Sequence, residues 1–263
     1  MDFKLRGKRA LVTGSTQGIG FAIAQGLARE GAAVVINGRG EAKVGEAVKR
    51  IASETKAPVS GIVGDVGSAA EVDRLVRQLG PVDILINNAG IFEPKPFLEI
   101  PDSDWLRHFE VNVMSGVRLS RALLPHMLKQ NWGRIVFISS ESGLNIPPEM
   151  VQYGMTKTAQ LAVSRGIAET VPGTGVTVNA VLPGPTLTEG VNVFLETLAK
   201  DRGIGIDEMA DELIKTLRPS SLIRRWATAE EVANPVVYLC SEAASATTGA
   251  AIRVDGGVVR SIA

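Results

Sequence analysis

Short runs of aliphatic residues alternate along this chain with segments whose apolar residues recur at helical spacing. Seven runs read as strands: "RALVTG" (9–14), "AAVVING" (32–38), "VSGIVG" (59–64), "VDILINNAG" (82–90), "RIVFISS" (134–140), "VTVNAVLPG" (176–184) and "AAIRVDGG" (250–257). Near-continuous aliphatic runs of this length are typical of strands buried on both faces of a parallel sheet. Helical patterns lie between them at 18–30, 41–54, 68–79, 102–130, 150–171 and 228–241. The alternation predicts an α/β fold, a doubly wound parallel sheet of about seven strands flanked by helices.

No linker, internal repeat or shift in composition divides the chain, so we expect residues 1–263 to form a single domain. One segment interrupts the alternation. Residues 187–218, between the sixth and seventh strands, carry short helical patterns of their own and are flanked by Pro185 and Pro219. A long excursion at the carboxyl end of a strand is where a substrate lid would lie, and we predict a lid there.

Composition and charge argue against several classes of function. Lysine plus arginine and aspartate plus glutamate number 28 each, so no excess of positive charge attracts nucleic acid. The chain has a single cysteine, Cys240, which rules out an internal disulfide. With one cysteine and 2 histidines in the whole sequence, no metal site is expected. No apolar run approaches the roughly 18 residues that span a bilayer, and no signal sequence is recognisable. We therefore expect a cytoplasmic protein that binds neither membrane nor nucleic acid.

The first predicted strand ends in the glycine-rich sequence "TGSTQGIG", directly before a helical pattern. Its glycines follow the spacing G-x-x-x-G-x-G. Glycines let the backbone turn tightly and approach a pyrophosphate, which then binds at the positive N-terminal end of the helix. We predict that this segment holds a nucleotide cofactor through Gly14, Ser15, Thr16, Gln17, Gly18, Ile19 and Gly20.

The end of the second strand bears on the choice of cofactor. In dinucleotide-binding folds an acidic residue here binds the ribose 2′-OH, whereas a nearby arginine accommodates a 2′-phosphate. The sequence "INGR" has no acidic residue before Glu41 and carries Arg39, whose guanidinium can pair with phosphate. This favours NADP(H), with NAD(H) still possible, because a solvated loop arginine is the alternative reading of Arg39.

The third and fourth strands end in residues that could contact the same cofactor. Asp65 in "GDV" is a candidate acceptor for the adenine amino group, with a helix cap as the alternative. The small residues of "NNAG" would let the backbone lie along the cofactor, or they make a tight turn. The cofactor contacts expected from these two strand ends are Asp65, Val66, Asn88, Ala89 and Gly90.

A tyrosine and a lysine stand four residues apart in "YGMTK" (153–157), within a helical pattern. At this spacing Tyr153 and Lys157 lie one turn apart on the same face of the helix. A nearby cation favours phenolate and lowers the pKa of a phenol from its usual value of about 10. The pair is a candidate proton donor, although an ordinary helix explains it equally well until something for it to act on is found.

The motifs occur together in one order, and the ordered set resembles the short-chain dehydrogenase/reductase family over essentially the whole chain. They are TGxxxGIG (13–20), NNAG (87–90), Asn112 in "EVNV", Ser140 in "ISSESG", YxxxK (153–157) and "PGPTLT" (183–188). Ser140 stands thirteen residues before Tyr153, an interval that favours it over Ser139. The resemblance implies a Rossmann-type fold and interconversion of a carbonyl and a secondary alcohol with NAD(P)(H). It also implies a homotetramer, with helices 102–130 and 150–171 at an interface.

The resemblance assigns roles to four catalytic residues. Tyr153 would deliver the proton as general acid, and Ser140 would hydrogen-bond the same substrate oxygen. Lys157 would lower the pKa of the phenol, and Asn112 would interrupt a helix and order a water that leads from Lys157 to solvent. Tyr153 and Lys157 would also contact the cofactor, and further contacts are expected from Pro183, Gly184, Thr186 and Thr188 after the sixth strand.

Departures from the family pattern leave the substrate open. Members that prefer the phosphorylated cofactor often carry a basic residue where this chain has Gln17, so Arg39 alone supports NADP(H). The main alternative is a 3-oxoacyl-[acyl-carrier-protein] reductase, but such enzymes present arginines to an acidic carrier and only Lys129 is available. A non-catalytic nucleotide sensor is a distant alternative, disfavoured by the intact catalytic set.

Four apolar residues are candidates for the wall of the substrate pocket, although apolar helix faces would explain them as well. They are Ile146, Met150, Phe194 and Leu195.

Overall fold

Seven strands form one parallel sheet in the computed structural model, which describes residues 2–262. The strands are β1 (Arg9–Val12), β2 (Ala33–Gly38), β3 (Val59–Val63), β4 (Ile84–Asn87), β5 (Gly133–Ile138), β6 (Val176–Pro183) and β7 (Ala251–Val254). Their order across the sheet is β3-β2-β1-β4-β5-β6-β7, and every neighbouring pair is parallel. The predicted doubly wound sheet is confirmed; residues 1 and 263 of the predicted domain lie outside the described residues.

Helices connect the strands and cover both faces of the sheet. They are α1 (Gly18–Arg29), α2 (Glu41–Thr55), α3 (Ala69–Leu79), α4 (Asp102–Phe109), α5 (Ser115–Lys129), α6 (Val151–Glu169), α7 (Glu189–Arg202), α8 (Ile206–Leu217) and α9 (Ala229–Leu239). The helical pattern at 102–130 is divided into two helices, as the expected interruption at Asn112 requires. A π-helical turn at Glu110–Met114 separates α4 from α5.

Alternate strand residues enter two separate cores, one on each face of the sheet. In β1, Ala10 and Val12 pack with α1, α2 and α9, whereas Leu11 packs with α3 and α5. All three side chains are fully buried. Burial on both faces explains why the strands read as continuous aliphatic runs without polar alternation.

The strand order reverses between β1 and β4, so the connections after these two strands leave the sheet in opposite directions. In open α/β sheets a crevice forms at the carboxyl ends of the strands at such a point. The sequences "TGSTQGIG" and "NNAG" follow β1 and β4, so the topology places both at this crevice.

The segment 187–218 forms the helix pair α7 and α8, which has a small core of its own. Leu195 and Ala199 of α7 pack against Met209 of α8, and all three are buried. Leu195 therefore stabilises the helix pair, and its predicted place in a pocket wall is wrong.

The one cysteine of the chain is deep in the fold. Cys240 follows α9 and is completely buried. Burial raises the pKa of its thiol to about 12, an effect that the nearby charge of Arg134 only partly opposes. The thiol is therefore protonated and shielded from solvent. Among the described residues, no helix is both long and apolar enough to cross a bilayer.

Candidate active site

A cleft of about 640 Å³ opens at the carboxyl ends of β1, β2 and β4. We call it the cofactor cleft. Predicted cofactor residues that line it are Gly14, Thr16, Gln17, Arg39, Asp65, Val66, Asn88, Ala89 and Gly90. Sequence motifs that are far apart in the chain thus meet in one cavity.

A buried asparagine fixes the shape of the glycine-rich turn. The Oδ1 atom of Asn37 accepts a hydrogen bond from the Gly14 amide at 3.4 Å, and its Nδ2 donates to the carbonyls of Ile62 and Gly64. Gly14 has φ +60°, and a Cβ there would lie 3.0 Å from the Cα of Ala89. Sequence reasoning missed Asn37, although a polar residue inside the aliphatic run "AVVING" was a signal.

Three basic side chains line the outer part of the cofactor cleft: Arg39, Lys43 and Arg107. Arg107 pairs with Glu93 at 3.5 Å, whereas the exposed Arg39 makes no hydrogen bond or ion pair with the described residues. Lys43 lies in the first turn of α2, four residues after Arg39 in the chain, and sequence reasoning missed it. The two unpaired cations make this end of the cleft a suitable place for a phosphate.

Asp65 lies in the cofactor cleft but is not the cap of the following helix, and its contact with adenine stays a prediction. It lines the cofactor cleft, and its Oδ1 accepts a hydrogen bond from the Gly67 amide at 2.9 Å. The N-cap of α3 is Ser68. Asp65 therefore shapes the turn before the helix, while the other carboxylate oxygen has no hydrogen-bond partner among the described residues.

Some predicted cofactor residues lie outside the cofactor cleft. Ser15 is buried and donates to the Val12 carbonyl, so it holds the turn from within. Neither Ile19 nor Gly20, both in α1, lines the cleft, and the same is true of Pro183 at the end of β6. These residues lie behind the glycine-rich turn or at the end of a strand, and their contact with the cofactor stays a prediction.

The N-terminus of α1 makes a contact that the sequence did not suggest. The Gly18 amide donates a hydrogen bond of 2.8 Å to the Oε2 atom of Glu189, the first residue of α7. Thr188 accepts a hydrogen bond from the Val191 amide as the N-cap of α7. Thr188, predicted to donate to the cofactor, is therefore engaged as a helix cap in this structure.

A second cavity of about 490 Å³, which we call the substrate pocket, contains Ser140 and Tyr153. Ser140 lies close enough to Tyr153 to lower the pKa of its phenol. Gly184 and Thr186, both predicted cofactor residues, line this pocket instead of the cofactor cleft. Its walls are largely apolar and include Phe92, Met150, Phe194, Leu213 and Trp226. Met150 and Phe194 were predicted there, whereas Ile146 does not line the pocket.

The glycine of "YGMTK" brings the tyrosine close to the serine. A Cβ at Gly154 would lie 2.6 Å from the Cγ2 of Ile146 and 3.1 Å from the carbonyl oxygen of Ser142. Only glycine lets α6 pack this closely against the turn that follows β5. Because Ser140 begins that turn and Tyr153 precedes Gly154, this contact positions both hydroxyls.

The electrostatics of Tyr153 differ from the sequence-based expectation. Burial raises its pKa to about 12; the hydrogen bond to Ser140 lowers it, and the charge of Glu141 raises it further. Lys157 is not among the groups that shift this pKa, and its expected lowering of the phenol pKa, together with the positive nicotinamide, stays a prediction. The Nζ atom of Lys157 lies 5.4 Å from the centre of the Tyr153 ring and donates to the Ile138 carbonyl at 2.9 Å. Burial lowers the pKa of Lys157 to about 7.

Asn112 lies in the π-helical turn, so the predicted interruption of the helix is confirmed. Its side chain donates to the Ile91 carbonyl and to Thr156, each at 2.9 Å. Its backbone carbonyl accepts from the Nε2 of Gln160 at 2.6 Å, and the Oε1 of Gln160 accepts from Lys157 at 3.1 Å. The Gln160 amide thus connects Lys157 to Asn112, and the water that would lead from Lys157 to solvent stays a prediction.

An ion pair that the sequence gave no reason to expect lines the substrate pocket. The Nε of Arg218 donates to the Oε1 of Glu141 at 2.7 Å, and its Nη1 lies 3.6 Å from Glu149. Glu141 directly follows Ser140 but is 77 residues from Arg218 in the chain. Only the fold brings this pair together.

Known proteins resemble this chain in sequence and in fold. The family model described as "Enoyl-(Acyl carrier protein) reductase" matches residues 14–259. The chain is 48% identical to the "Uncharacterized oxidoreductase YvrD" of Bacillus subtilis (strain 168), with 100% of both chains covered. It is 36% identical to the 3-oxoacyl-[acyl-carrier-protein] reductase FabG of Aquifex aeolicus (strain VF5), over 98% of this chain and 100% of that one. Among solved structures, the L-sorbose reductase of Gluconobacter frateurii complexed with NADPH and L-sorbose has a TM-score of 0.95 and 33% identity, with 100% of both chains covered.

Proposed function

The chain belongs to the short-chain dehydrogenase/reductase family, and we propose that it reduces a carbonyl to a secondary alcohol with NADPH, Tyr153 being the proton donor. The observation that carries the proposal is that Ser140 and Tyr153 line the same largely apolar pocket, where Ser140 lowers the pKa of the phenol. The cofactor cleft is a second cavity of the same fold. NADPH supplies the hydride when it is bound. The remaining steps fall to the chain's own residues.

The cofactor cleft fits a phosphorylated dinucleotide. The turn at Gly14 leaves no room for a side chain, which allows a close approach of the backbone to a ligand. Arg39 and Lys43 supply positive charge at the outer end of the cleft, and no acidic residue follows β2 before Glu41. Solved relatives with NADPH or NADP bound support the same cofactor, and NAD(H) remains the second choice.

Tyr153 and Ser140 act on the same substrate oxygen. With a pKa of about 12, Tyr153 is protonated at neutral pH and can donate its proton to the alkoxide that forms on reduction. Ser140 donates a hydrogen bond to that oxygen and stabilises its developing charge. Lys157 and Asn112 hold α6 and the π-helical turn around Tyr153 through Gln160.

The segment 187–218 acts as a lid over the substrate pocket in this proposal. Its support is that Phe194, Leu213 and Arg218 line the pocket while α7 and α8 keep a core of their own. We also propose a homotetramer in the cytoplasm. The exposed apolar side chains of Leu106 and Phe109 on α4 support an interface there, and the lack of a second cysteine is compatible with a reducing compartment.

The test replaces each of the chain's 2 tyrosines in turn. Tyr153→Phe keeps the ring but removes the transferable proton, so NADPH-dependent reduction of a ketone should fall at least about a hundredfold. NADPH binding, followed by its fluorescence, should persist. Tyr238→Phe is the matched control, because Tyr238 lies outside both cavities, and it should keep wild-type turnover.

Two outcomes would contradict the proposal. Near-native turnover of the Tyr153→Phe variant would remove Tyr153 from the chemistry. No reduction of any ketone by the wild type, with either cofactor, would favour the nucleotide sensor. A 3-oxoacyl thioester should be included among the substrates, because the 36% identity to FabG of Aquifex aeolicus keeps acyl-carrier reductase activity as the second candidate.

A further inference from the structure

Charged groups occupy one side of the otherwise apolar substrate pocket. Arg218, at the end of α8, has a side chain that is 11% exposed and pairs with Glu141, which is 3% exposed. Glu149 lies beyond the same guanidinium and is half-buried. We call these three residues the pocket charge cluster. Charged side chains are rarely buried to this degree unless they are paired or serve a ligand.

The pocket charge cluster lies close to the group that gives the proton. The charge of Glu141 raises the pKa of Tyr153 and the charge of Arg218 lowers it. Glu141 also follows Ser140 directly in the chain. Because the pocket charge cluster lines the same cavity as Ser140 and Tyr153, a substrate whose reacting oxygen lies at these two residues also meets the cluster.

The ion pair leaves hydrogen-bonding capacity unused on both partners. The Nε and Nη1 of Arg218 donate to Glu141 and to the Leu217 carbonyl, but Nη2 has no acceptor among the described residues. On Glu141, Oε1 accepts from Arg218 and Ser142, whereas the buried Oε2 has no donor among the described residues. The ion pair thus keeps a donor and an acceptor without partners among the described residues, and leaving the buried Oε2 in this state is costly.

A hydroxyl group matches this pair better than other oxygen groups do. It accepts one hydrogen bond and donates another, whereas a ketone or thioester oxygen only accepts. A carboxylate also only accepts, and it would meet two carboxylates against one guanidinium. Because the pocket charge cluster carries a net negative charge, it disfavours an anion even though an arginine is present.

We propose that Arg218 and Glu141 determine substrate specificity by binding a hydroxyl on the carbon next to the reacting carbonyl, so that the substrates are uncharged hydroxy ketones with an apolar body. This rests on the proposed function, because it assumes that the carbonyl binds at Ser140 and Tyr153. It names a substrate class that the catalytic residues alone do not define.

The test uses three phenyl ketones that differ only in the group beside the carbonyl. Phenacyl alcohol carries a hydroxymethyl group, propiophenone an ethyl group and phenylglyoxylate a carboxylate. With NADPH and the wild-type protein, kcat/KM should be highest for phenacyl alcohol, by at least about tenfold over propiophenone, and lowest for phenylglyoxylate.

Variants separate recognition from the intrinsic reactivity of the ketones. Arg218→Met keeps the length of the side chain but removes its donors, so the preference for phenacyl alcohol over propiophenone should fall at least about fivefold relative to wild type. The matched control is Arg225→Met, because Arg225 forms an exposed pair with Glu231 outside the pocket. It should leave the ratio unchanged. Glu149→Gln removes one negative charge and should raise the relative rate with phenylglyoxylate.

The outcomes distinguish this inference from the proposed function. If propiophenone is reduced as well as phenacyl alcohol, or if Arg218→Met lowers all three rates equally, Arg218 is only structural and the inference fails while the reductase stands. Preference for phenylglyoxylate would likewise overturn it. If the wild type reduces none of the three ketones with either cofactor, the inference fails, whereas the proposed function fails only if the wider set of ketones and the 3-oxoacyl thioester are also not reduced.

Discussion

The adjacent hydroxyls of Ser139 and Ser140 face different partners. Ser140 lines the substrate pocket together with Tyr153, whereas Ser139 donates to the Lys157 carbonyl at 2.8 Å. Ser140→Ala should lower kcat by about a hundredfold or more, because a donor to a developing oxyanion is worth roughly 3 kcal/mol. Ser139→Ala should lower the free energy of unfolding by about 1 kcal/mol and should have only a mild effect on turnover. Steady-state kinetics and thermal melts of both variants make the comparison; the reverse ranking would show that Ser139 is the catalytic serine.

Lys157 makes the stability of the protein depend on pH. Its pKa falls from 10.5 to about 7 on burial, so between these values the unfolded chain holds a proton that the folded chain lacks. Stability due to this residue therefore rises with pH above about 7, by up to roughly 1.4 kcal/mol per pH unit. Denaturant unfolding of the wild type and of Lys157→Met at pH 7, 8 and 9 isolates the effect, because Lys157→Met removes the titrating group. Parallel pH profiles of the two proteins would contradict it.

Arg39 is the residue on which the choice of cofactor depends. A partly exposed ionic contact with a 2′-phosphate is worth about 1.5–3 kcal/mol, or roughly ten- to a hundredfold in affinity. Arg39→Ala should raise the KM for NADPH by that factor, leave the KM for NADH unchanged, and reduce the salt sensitivity of NADPH binding. Arg50→Ala on the same side of the sheet is the control, since Arg50 does not line the cofactor cleft. A wild type that prefers NADH would show that Arg39 is only a solvated loop residue.

At the scale of elements, the contact between α7 and α1 competes with the cofactor. The Glu189 carboxylate accepts a hydrogen bond from the Gly18 amide at the positive end of α1, where a pyrophosphate would bind. Two anions cannot accept from the same N–H, so Glu189→Ala should lower the Kd for NADPH by about two- to tenfold. Glu196→Ala, an exposed substitution on the same helix, should not. Titration of both variants by fluorescence is the measurement, and weaker NADPH binding by Glu189→Ala would reverse the conclusion.

Sequence reasoning located the elements better than their interruptions. The strands were readable because burial on both faces requires aliphatic runs, and the helices were readable from their periodicity. The π-helical turn at Glu110–Met114 carries no glycine or proline, so local sequence gave no sign of where between 102 and 130 the helix would break. The resemblance to a family, through Asn112, was what pointed to it.

At the scale of the whole molecule, some residues of the site can be predicted from local sequence motifs, whereas others come together only through the folding of distant segments. Tyr153 and Ser140 could be predicted because their spacing and neighbours form a motif. Arg218 could not, because its contact with Glu141 depends on how the segment after β6 folds back over β5. The pKa values of Tyr153 and Lys157 could not be predicted from the sequence either, because they follow from burial, which no sequence motif specifies.

The burial of Cys240 gives the folded protein an internal reporter. A thiol reagent reacts with thiolate, and the only thiol of this chain is both shielded and held protonated while α9 stays packed. A thiol reagent can therefore label Cys240 only after the fold around it opens, and each labelled molecule has opened at least once. Because no second cysteine contributes a background signal, the labelling rate in native buffer reads out the opening equilibrium directly, and its slowing by added NADPH measures how tightly the cofactor holds the molecule closed.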